Sequence, residues 1–479
     1  MANGLPIPVS LPTEYNPGRY NQDGSASLIN AYAENTGTEA KARWVNYAVS
    51  GLDVWNSVTN SGTVTGITGV RAMLVTDSYL YVVAGRDVTA IDTLGVKTLI
   101  TTLAADGAAY FARNRRSPTP EVCLVADGTG YIITGTSIAT ITDADLPPPT
   151  SVSVKDGYFL FPTTFDRIFI SDEDNGSSIQ PLMFGKAQAQ PDNTLYWLGS
   201  ERDSIVFGTN SVEWFSDSPD GTGGFPFVRV AAIDQGCAGA KTVIQLDRAV
   251  AMIASDGTVR IQEGYSFKRI SNYAVERLIA SVDASTILGF GWNEPATGHA
   301  FMAWTCDSFT VVYDLRTGKW HLRKSKGLNC WRGSCSVQWQ GMTLIGDRTD
   351  GRIYKIAPDV MTEGGDPITM ELILPIIHQA PYGLALDAIY VDMATGVGAG
   401  TLDEDRNPKI MISTSADGGV TFAAERLVEI GAGGQTQTTV KRFRFGDFGP
   451  QGVTIRLAVS ASVKRAIMGA SIVARKLLP

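Results

Sequence analysis

Residues 195–217 read LYWLGSERDSIVFGTNSVEWFSD. Three short apolar runs, LYWLG, SIVFG and VEWF, are separated by polar breaks at 200–203 and 209–210. Runs rich in β-branched and aromatic residues, bounded by Gly, Asn and Asp, mark strands joined by tight turns. Ile205, Val206 and Phe207 are apolar in succession, the pattern of a strand covered on both faces. Glu213 between Val212 and Trp214 gives the alternation of a half-exposed outer strand. A small sheet with covered faces and a wet outer edge is the unit from which a β-propeller blade is made.

The same plan repeats on both sides of this stretch, in modules at 71–101, 109–142, 151–185, 195–232, 241–271, 286–325 and 330–357. A spacing near 40 residues is the signature of a propeller array, although the modules are not visibly alike in sequence. The seventh module, CWRGSCSVQW, MTLIGD and GRIYKIA, holds only three strands. Closing a ring removes the exposed edges of an open array. The strands expected at Trp44–Tyr47 and Asp53–Val58 are placed to complete that last blade. An all-β fold follows: a β-propeller over 43–357, seven blades with six or eight the alternatives. Residues 358–366 read as a linker, and the strand-rich 367–479 as a C-terminal antiparallel β-sandwich. Residues 1–42 read as an irregular arm lying over a surface, with SLINAYA (27–33) its one ordered element. On that reading, deleting 1–42 leaves a folded monomer. Short helices are expected near Tyr273–Ile279 and Ala461–Met468.

With 479 residues, 44% hydrophobic and 18% charged, the chain is globular and long enough for two or three cores. MANGLPIPVSLP has neither a basic n-region nor an apolar h-region, so a soluble chain assembled in a cytoplasm is expected. The longest apolar runs are too short to span a bilayer. Cys123, Cys237, Cys306, Cys330 and Cys335 are odd in number and scattered, which reads as buried thiols and not a disulfide framework.

Catalysis finds little to work with. His299, His321 and His378 lack metal-ligand spacing, and no GxSxG, P-loop or helix-opening GxGxxG is present. No catalytic, metal-binding or cofactor-binding residue is assigned. The acidic runs Asp172-Glu173-Asp174 and Asp403-Glu404-Asp405 read as solvated loops. SADGGVTF (415–422) is similar to the Asp-box hairpin of sialidase-type propellers, in which Asp417 caps backbone amides and Gly419 takes a positive φ.

Charge is unevenly spread. Of the total of −8, residues 441–479 carry +7 and the rest of the chain −15. The basic residues Lys441, Arg442, Arg444, Arg456, Lys464, Arg465, Arg475 and Lys476 form a candidate docking patch for an acidic partner, DNA included. The alternative is that these charges simply alternate with core positions, as at Val453–Val459.

The Leu/Pro-rich arm followed by LINAYAE (28–34), the blade DSIVFGTNSVEWFS (203–216), and ISTSADGGVTFAAERLVEI (412–430) carry a family likeness. KRFRFG and GVTIRLAVSASVKRAIMGASIVA (452–474) extend it. In these stretches the chain resembles the tail accessory factor, or packaged-DNA stabilisation protein, of short-tailed double-stranded DNA phages. The resemblance implies a structural virion protein in a homohexameric tail hub or nozzle. Such a ring docks on the portal adaptor, retains packaged DNA, channels it during ejection and carries tailspikes, fibres or a needle. The competing reading is a propeller glycan-binding or glycosidase-like protein, which needs an Arg/Tyr/Glu constellation with Glu201 and Arg202 as candidates.

Overall fold

A computed structural model describes residues 5–20, 23–61, 68–104, 107–164, 167–187, 189–190, 192–200, 202–218, 225–400 and 402–477. Among the described residues, seven blades of four antiparallel strands follow one another, five as separate sheets and the last two as parts of larger sheets. Blades 1 to 6 span 70–102, 109–140, 153–186, 194–233, 244–269 and 288–322. In each, the strands run a to d from the axis outward, in sequence order. Strand b of blade 4, Ser204–Gly208, is buried throughout, so the apolar run there sits between its neighbours as the sequence predicts. Glu213 on strand c departs from the sequence reading: it is buried, pairs with Arg229 at 3.1 Å and accepts the Ala189 amide at 2.7 Å. Strand d, Phe227–Ile233, pairs alongside strand c, and its Arg229 supplies the partner that a buried carboxylate requires.

Blade 7 takes three strands from 333–357 and its fourth from the N-terminal part of the chain. That fourth strand is best placed after the four that precede it: β1 (Ile7–Val9), β2 (Ser27–Ile29), β3 (Ala31–Asn35), β4 (Trp44–Ala48) and β5 (Gly51–Ser57). Strand β5 pairs antiparallel with the third strand of blade 7, Leu52 opposite Ile356 and Asp53 opposite Lys355. Only β5 of the 44–58 segment closes the ring; β4 pairs with the end of the chain instead. The 358–366 stretch, expected to be a plain linker, holds the short strand Thr362–Glu363, which runs parallel to β5 beside Leu52.

The C-terminal strands are β6 (Met370–Ile373), β7 (Gly383–Met393), β8 (Lys409–Ser415), β9 (Arg426–Glu429), β10 (Val440–Phe448), β11 (Thr454–Val459) and β12 (Ala466–Leu477). They form two layers over one core, in the orders β3-β4-β12-β7-β10, with β1 also on β12, and β2-β6-β11-β8-β9. The arm is therefore not a strap over a surface. Alternation in SLINAYA buries Leu28, Ala31 and Ala33 in the same core as Leu372, Ile389, Ile412 and Leu457. Between β2 and β3, Asn30 takes a positive φ of 53° and its amide donates to the Lys324 and Thr369 carbonyls. Strand β2 also meets strand d of blade 6, Ile29 opposite Leu322, so one continuous sheet runs from blade 6 into one of the C-terminal layers. Tyr15 is buried along that route, its amide on the Trp320 carbonyl. The helix expected at 273–279 forms as α1 (Tyr273–Ile279), capped by Asn272. The one expected over 461–468 does not, because Ala466 and Ile467 are taken up in pairing with β4 and β7.

Leu52 is fully buried on the closing strand while its neighbour Asp53 is exposed. Leu52→Ala is therefore expected to lower unfolding free energy by about 2–5 kcal/mol, and Asp53→Ala to leave it nearly unchanged. Chemical denaturation of both variants checks this.

Candidate partner-docking surface

The eight basic residues of the C-terminal stretch separate into two groups once folded. Five are engaged within the chain. Arg456 pairs with Glu425 and lies 4.9 Å from the Phe422 ring centre. Lys464 pairs with Asp359 at 2.7 Å, and Arg475 with Asp387 at 2.6 Å. Lys476 sits 3.3 Å from the Tyr382 ring centre. Arg465 is buried and donates to the Ile368 and Val459 carbonyls, and burial lowers its guanidinium to about 10. It belongs to the core of the two layers and not to a surface patch.

The other three, Lys441, Arg442 and Arg444, stand exposed on β10 and make no ion pair among the described residues. Strand β10 is the edge of its layer, and β9, the edge of the other, runs close to it. Arg426 on β9 joins the two edges by donating to the Phe443 and Arg444 carbonyls, with its guanidinium 4.6 Å from the Phe445 ring centre. Phe443 (49% exposed) and Leu427 (55%) lie among these cations. A groove of about 230 Å³ opens beside them, lined by Ile412, Ser413, Ala423, Ala424, Arg426 and Phe445. Ser413 is buried there, and its hydroxyl has no hydrogen-bond partner. The apolar members of this surface were missed in the sequence, although KRFRF interleaves aromatic and basic residues in plain view.

The remaining candidates have structural roles. His299 and His321, far apart in sequence, meet against Tyr32 and Phe301 in the core of blade 6. Burial pushes the His321 imidazole down to about 3. His299 Nδ1 donates to the Asp314 carboxylate at 2.8 Å, and the ring lies 3.7 Å from Glu34 of β3. His378 is exposed. Among the described residues, no group of three His, Cys, Asp or Glu is arranged to hold a metal ion. Arg202 is exposed beside Asp203, while Glu201 lies outside the described residues. Glu173 and Asp174, on the turn of blade 3, pair with Arg115 of the blade 2 side. Ser415, Asp417 and Gly419 form the Asp-box turn: Asp417 accepts the Val420 and Thr421 amides at 3.0 Å, and Gly419 has a φ of 90°. The thiols of Cys123, Cys237, Cys306 and Cys330 are buried, Cys335 less so.

The propeller axis is occupied. Lys241, in the turn before blade 5, reaches the carbonyl of Ala109 on strand a of blade 2, with its ammonium 3.8 Å from the Tyr110 ring centre. Tyr110 in turn stacks on Tyr196 of blade 4 at 6.0 Å. Burial lowers the Lys241 ammonium to about 8. Contact between blades 5 and 2 crosses the axis, so side chains fill the channel at this level.

The family model described as bacteriophage P22 Gp10, β-propeller, matches residues 17–361. No curated protein matches the chain. Among solved structures it is similar to the WD40 β-propeller domain of Doa1, at 11% identity over 65% of this chain and 97% of that one, TM-score 0.41. It is also similar to virginiamycin B lyase from Staphylococcus aureus, at 12% identity over 64% and 98%, TM-score 0.44. A third is the computationally designed Ika8 protein, at 13% identity over 70% and 100%, TM-score 0.38. None of the three bears on activity.

Two expectations follow from these placements. Arg465→Ala strips two buried carbonyls of their donor and should cost more than about 1 kcal/mol, whereas alanine at Lys441, Arg442 and Arg444 together should leave the thermal midpoint unchanged. The second concerns His299. Burial lowers its pKa, but the Asp314 hydrogen bond and the charges of Asp314 and Glu34 outweigh that and the nearby Arg316, so the net shift is upward. Asp314 is raised by burial and lowered more by His299 and Thr317. The His299 contribution is full below its unfolded value of 6.5 and is lost as pH rises through the folded one; that of Asp314 is full above 3.8 and is lost on acidification. The thermal-midpoint deficit of His299→Gln should thus be largest between those two values and shrink toward alkaline pH.

Proposed function

The chain belongs to the family of the bacteriophage P22 Gp10 β-propeller, and from that membership we propose that it is a structural virion protein that closes the DNA-filled head. The observation that carries this reading is the extent of the match: 17–361 takes in all seven blades and the strand that closes them. In this reading several copies, six by the resemblance noted in the sequence, form a ring-shaped tail hub or nozzle. The ring sits on the portal adaptor, holds packaged DNA in place, passes it at ejection and carries tailspikes, fibres or a needle. The role is one of docking and not of catalysis. The residues that chemistry would recruit, His299, His321 and Asp314, are committed to packing blade 6 against β3. An exposed cationic edge and an interior stitched from both chain ends suit a part that must hold its shape under load.

The test is to add purified protein to DNA-filled, tail-less capsids with the portal adaptor present, and to follow DNA release. Binding with release slowed toward that of complete particles is the expected outcome. Unchanged release with no bound protein overturns the reading and turns attention to glycan arrays.

A further inference from the structure

The exposed edge formed by β10 and β9 lacks the acidic partners that its cations have elsewhere in the chain, and its apolar residues lack cover. Lys441, Arg442 and Arg444 make no ion pair among the described residues, while Arg456, Lys464 and Arg475 each have one. Phe443 and Leu427 are about half exposed between them, and on the same edge lies the groove walled by Ile412, Ala423, Ala424, Phe445 and Glu425, whose carboxylate is paired with Arg456. Isolated exposed apolar residues need no explanation, but two on adjoining edge strands, where Lys441, Arg442 and Arg444 outnumber the exposed Glu429 and Asp447, mark a contact surface of mainly basic character.

A surface of complementary character lies elsewhere on the same two layers. Between β7 and β8 the short helix α2 (Asp403–Arg406) is held at one end of the layers, where Asp405 accepts the Ser462 amide at 2.6 Å. Asp403 and Glu404 are exposed there and make no ion pair among the described residues, and Leu402 before them is 58% exposed. The charge split is strong within this region: residues 358–440 hold twelve acidic and three basic residues, and 441–479 hold one and eight. One projection, Leu402 with Asp403 and Glu404 ahead of Arg406, is mainly acidic; the other, with Asp447 and Glu429 among its cations, is mainly basic, and they occupy an end and a lateral edge. Two unlike patches on one chain pair head to tail between copies, and such contacts close into rings when the rotation allows.

We propose that the β10–β9 edge is the seat of a second copy of this chain, which presents its Leu402-Asp403-Glu404 projection to it. Leu402 enters the groove against Ile412 and Phe445, and the two carboxylates meet Lys441, Arg442 and Arg444. Duplex DNA is the weaker occupant, because phosphates would satisfy the cations but leave Phe443, Leu427 and the groove wall uncovered. The inference rests on the ring reading above and deepens it by naming the surfaces that meet.

Charge reversal tests it on the full-length protein. K441E/R442E/R444E and D403K/E404K are made separately and together, with thermal midpoints to establish that each folds. Self-association is read by sedimentation velocity in low and high salt, and by cross-linking on adaptor-bearing capsids. Each reversal alone should shift the association midpoint at least tenfold toward monomer. An equimolar mixture of the two, or the combined variant, should restore it, since opposite charges then face each other again. Association untouched by either reversal, loss without rescue, or a wild-type chain that is monomeric both in solution and on capsids overturns the proposal. So does duplex binding abolished by K441E/R442E/R444E while self-association persists. The capsid release assay separates the two readings: slowed release with association indifferent to charge keeps head closure and rejects this contact. Rescue by charge exchange with unchanged release keeps the contact and rejects head closure.

Discussion

Everything in this molecule depends on β5 completing blade 7. Without it the third strand of that blade, Arg352–Ala357, would face solvent with an unpaired edge, and blade 7 would hold to its neighbours by its inner strands alone. The closing strand is also tied by polar contacts just before it. Ser50 donates to Glu294 at 2.6 Å, and its carbonyl accepts Arg323 at 2.7 Å. Arg323 lies 3.8 Å from the Trp331 ring centre, and Trp331 donates to Glu363 at 2.8 Å. Glu363 accepts Ser325 as well, and lies 3.5 Å from Arg332. Burial raises the Glu363 carboxyl against the pull of Arg323 and Arg332. Such a cluster adds little net stability over an apolar filling, but a closing strand displaced by one residue would strand its charges, so it selects register. Gly51 serves the same end: a Cβ there would lie 2.3 Å from the Val360 carbonyl oxygen.

Closure also determines where the rest of the N-terminal segment must go. A chain that reaches β5 from outside has to cross blade 6 and the C-terminal layers, and it pairs at each crossing: β1 on β12, β2 between blade 6 and β6, β4 on β12. The result is a sheet that does not stop at the boundary between propeller and layers. Loop-closure entropy grows only slowly with length, so pairing residues hundreds apart costs little more than pairing residues tens apart. What it does cost is speed, since contacts of that separation form late. The arrangement joins the propeller and the two C-terminal layers by strands from the N-terminal and the C-terminal parts of the sequence.

The propeller was legible because its signal is local. Turn residues at short spacing and runs such as SIVFG state a strand, and the three-strand count of the last module states that something else completes it. What stayed hidden was every feature that depends on which strand lies alongside. Glu213 alternates like a surface residue, yet Arg229 on the adjacent strand covers it. SLINAYA shows an ordered element but not that its partners are Leu372 and Leu322. The basic run from 441 shows a charge excess, but carboxylates at Asp359, Asp387 and Glu425, distant in sequence, decide which of those cations have an ion pair. Alternation along one strand gives the face, and only the neighbouring strand gives the environment.

The filled axis bears on how a protein of this family handles DNA. A channel that a single lysine side chain bridges, from blade 5 to the Ala109 carbonyl of blade 2, has no room for a duplex, whose minor groove alone is about 6 Å wide. The lysine sits there at an electrostatic cost, since burial lowers its pKa, and it is offset by the Ala109 carbonyl and the face of Tyr110. Such a group braces the blades against one another and does not wait for a ligand. In the ring proposed above, DNA would therefore have to pass alongside the propeller and not through it. On that proposal the surfaces between copies, and not the propeller axis, set the bore, and the fold of the single chain contributes the wall.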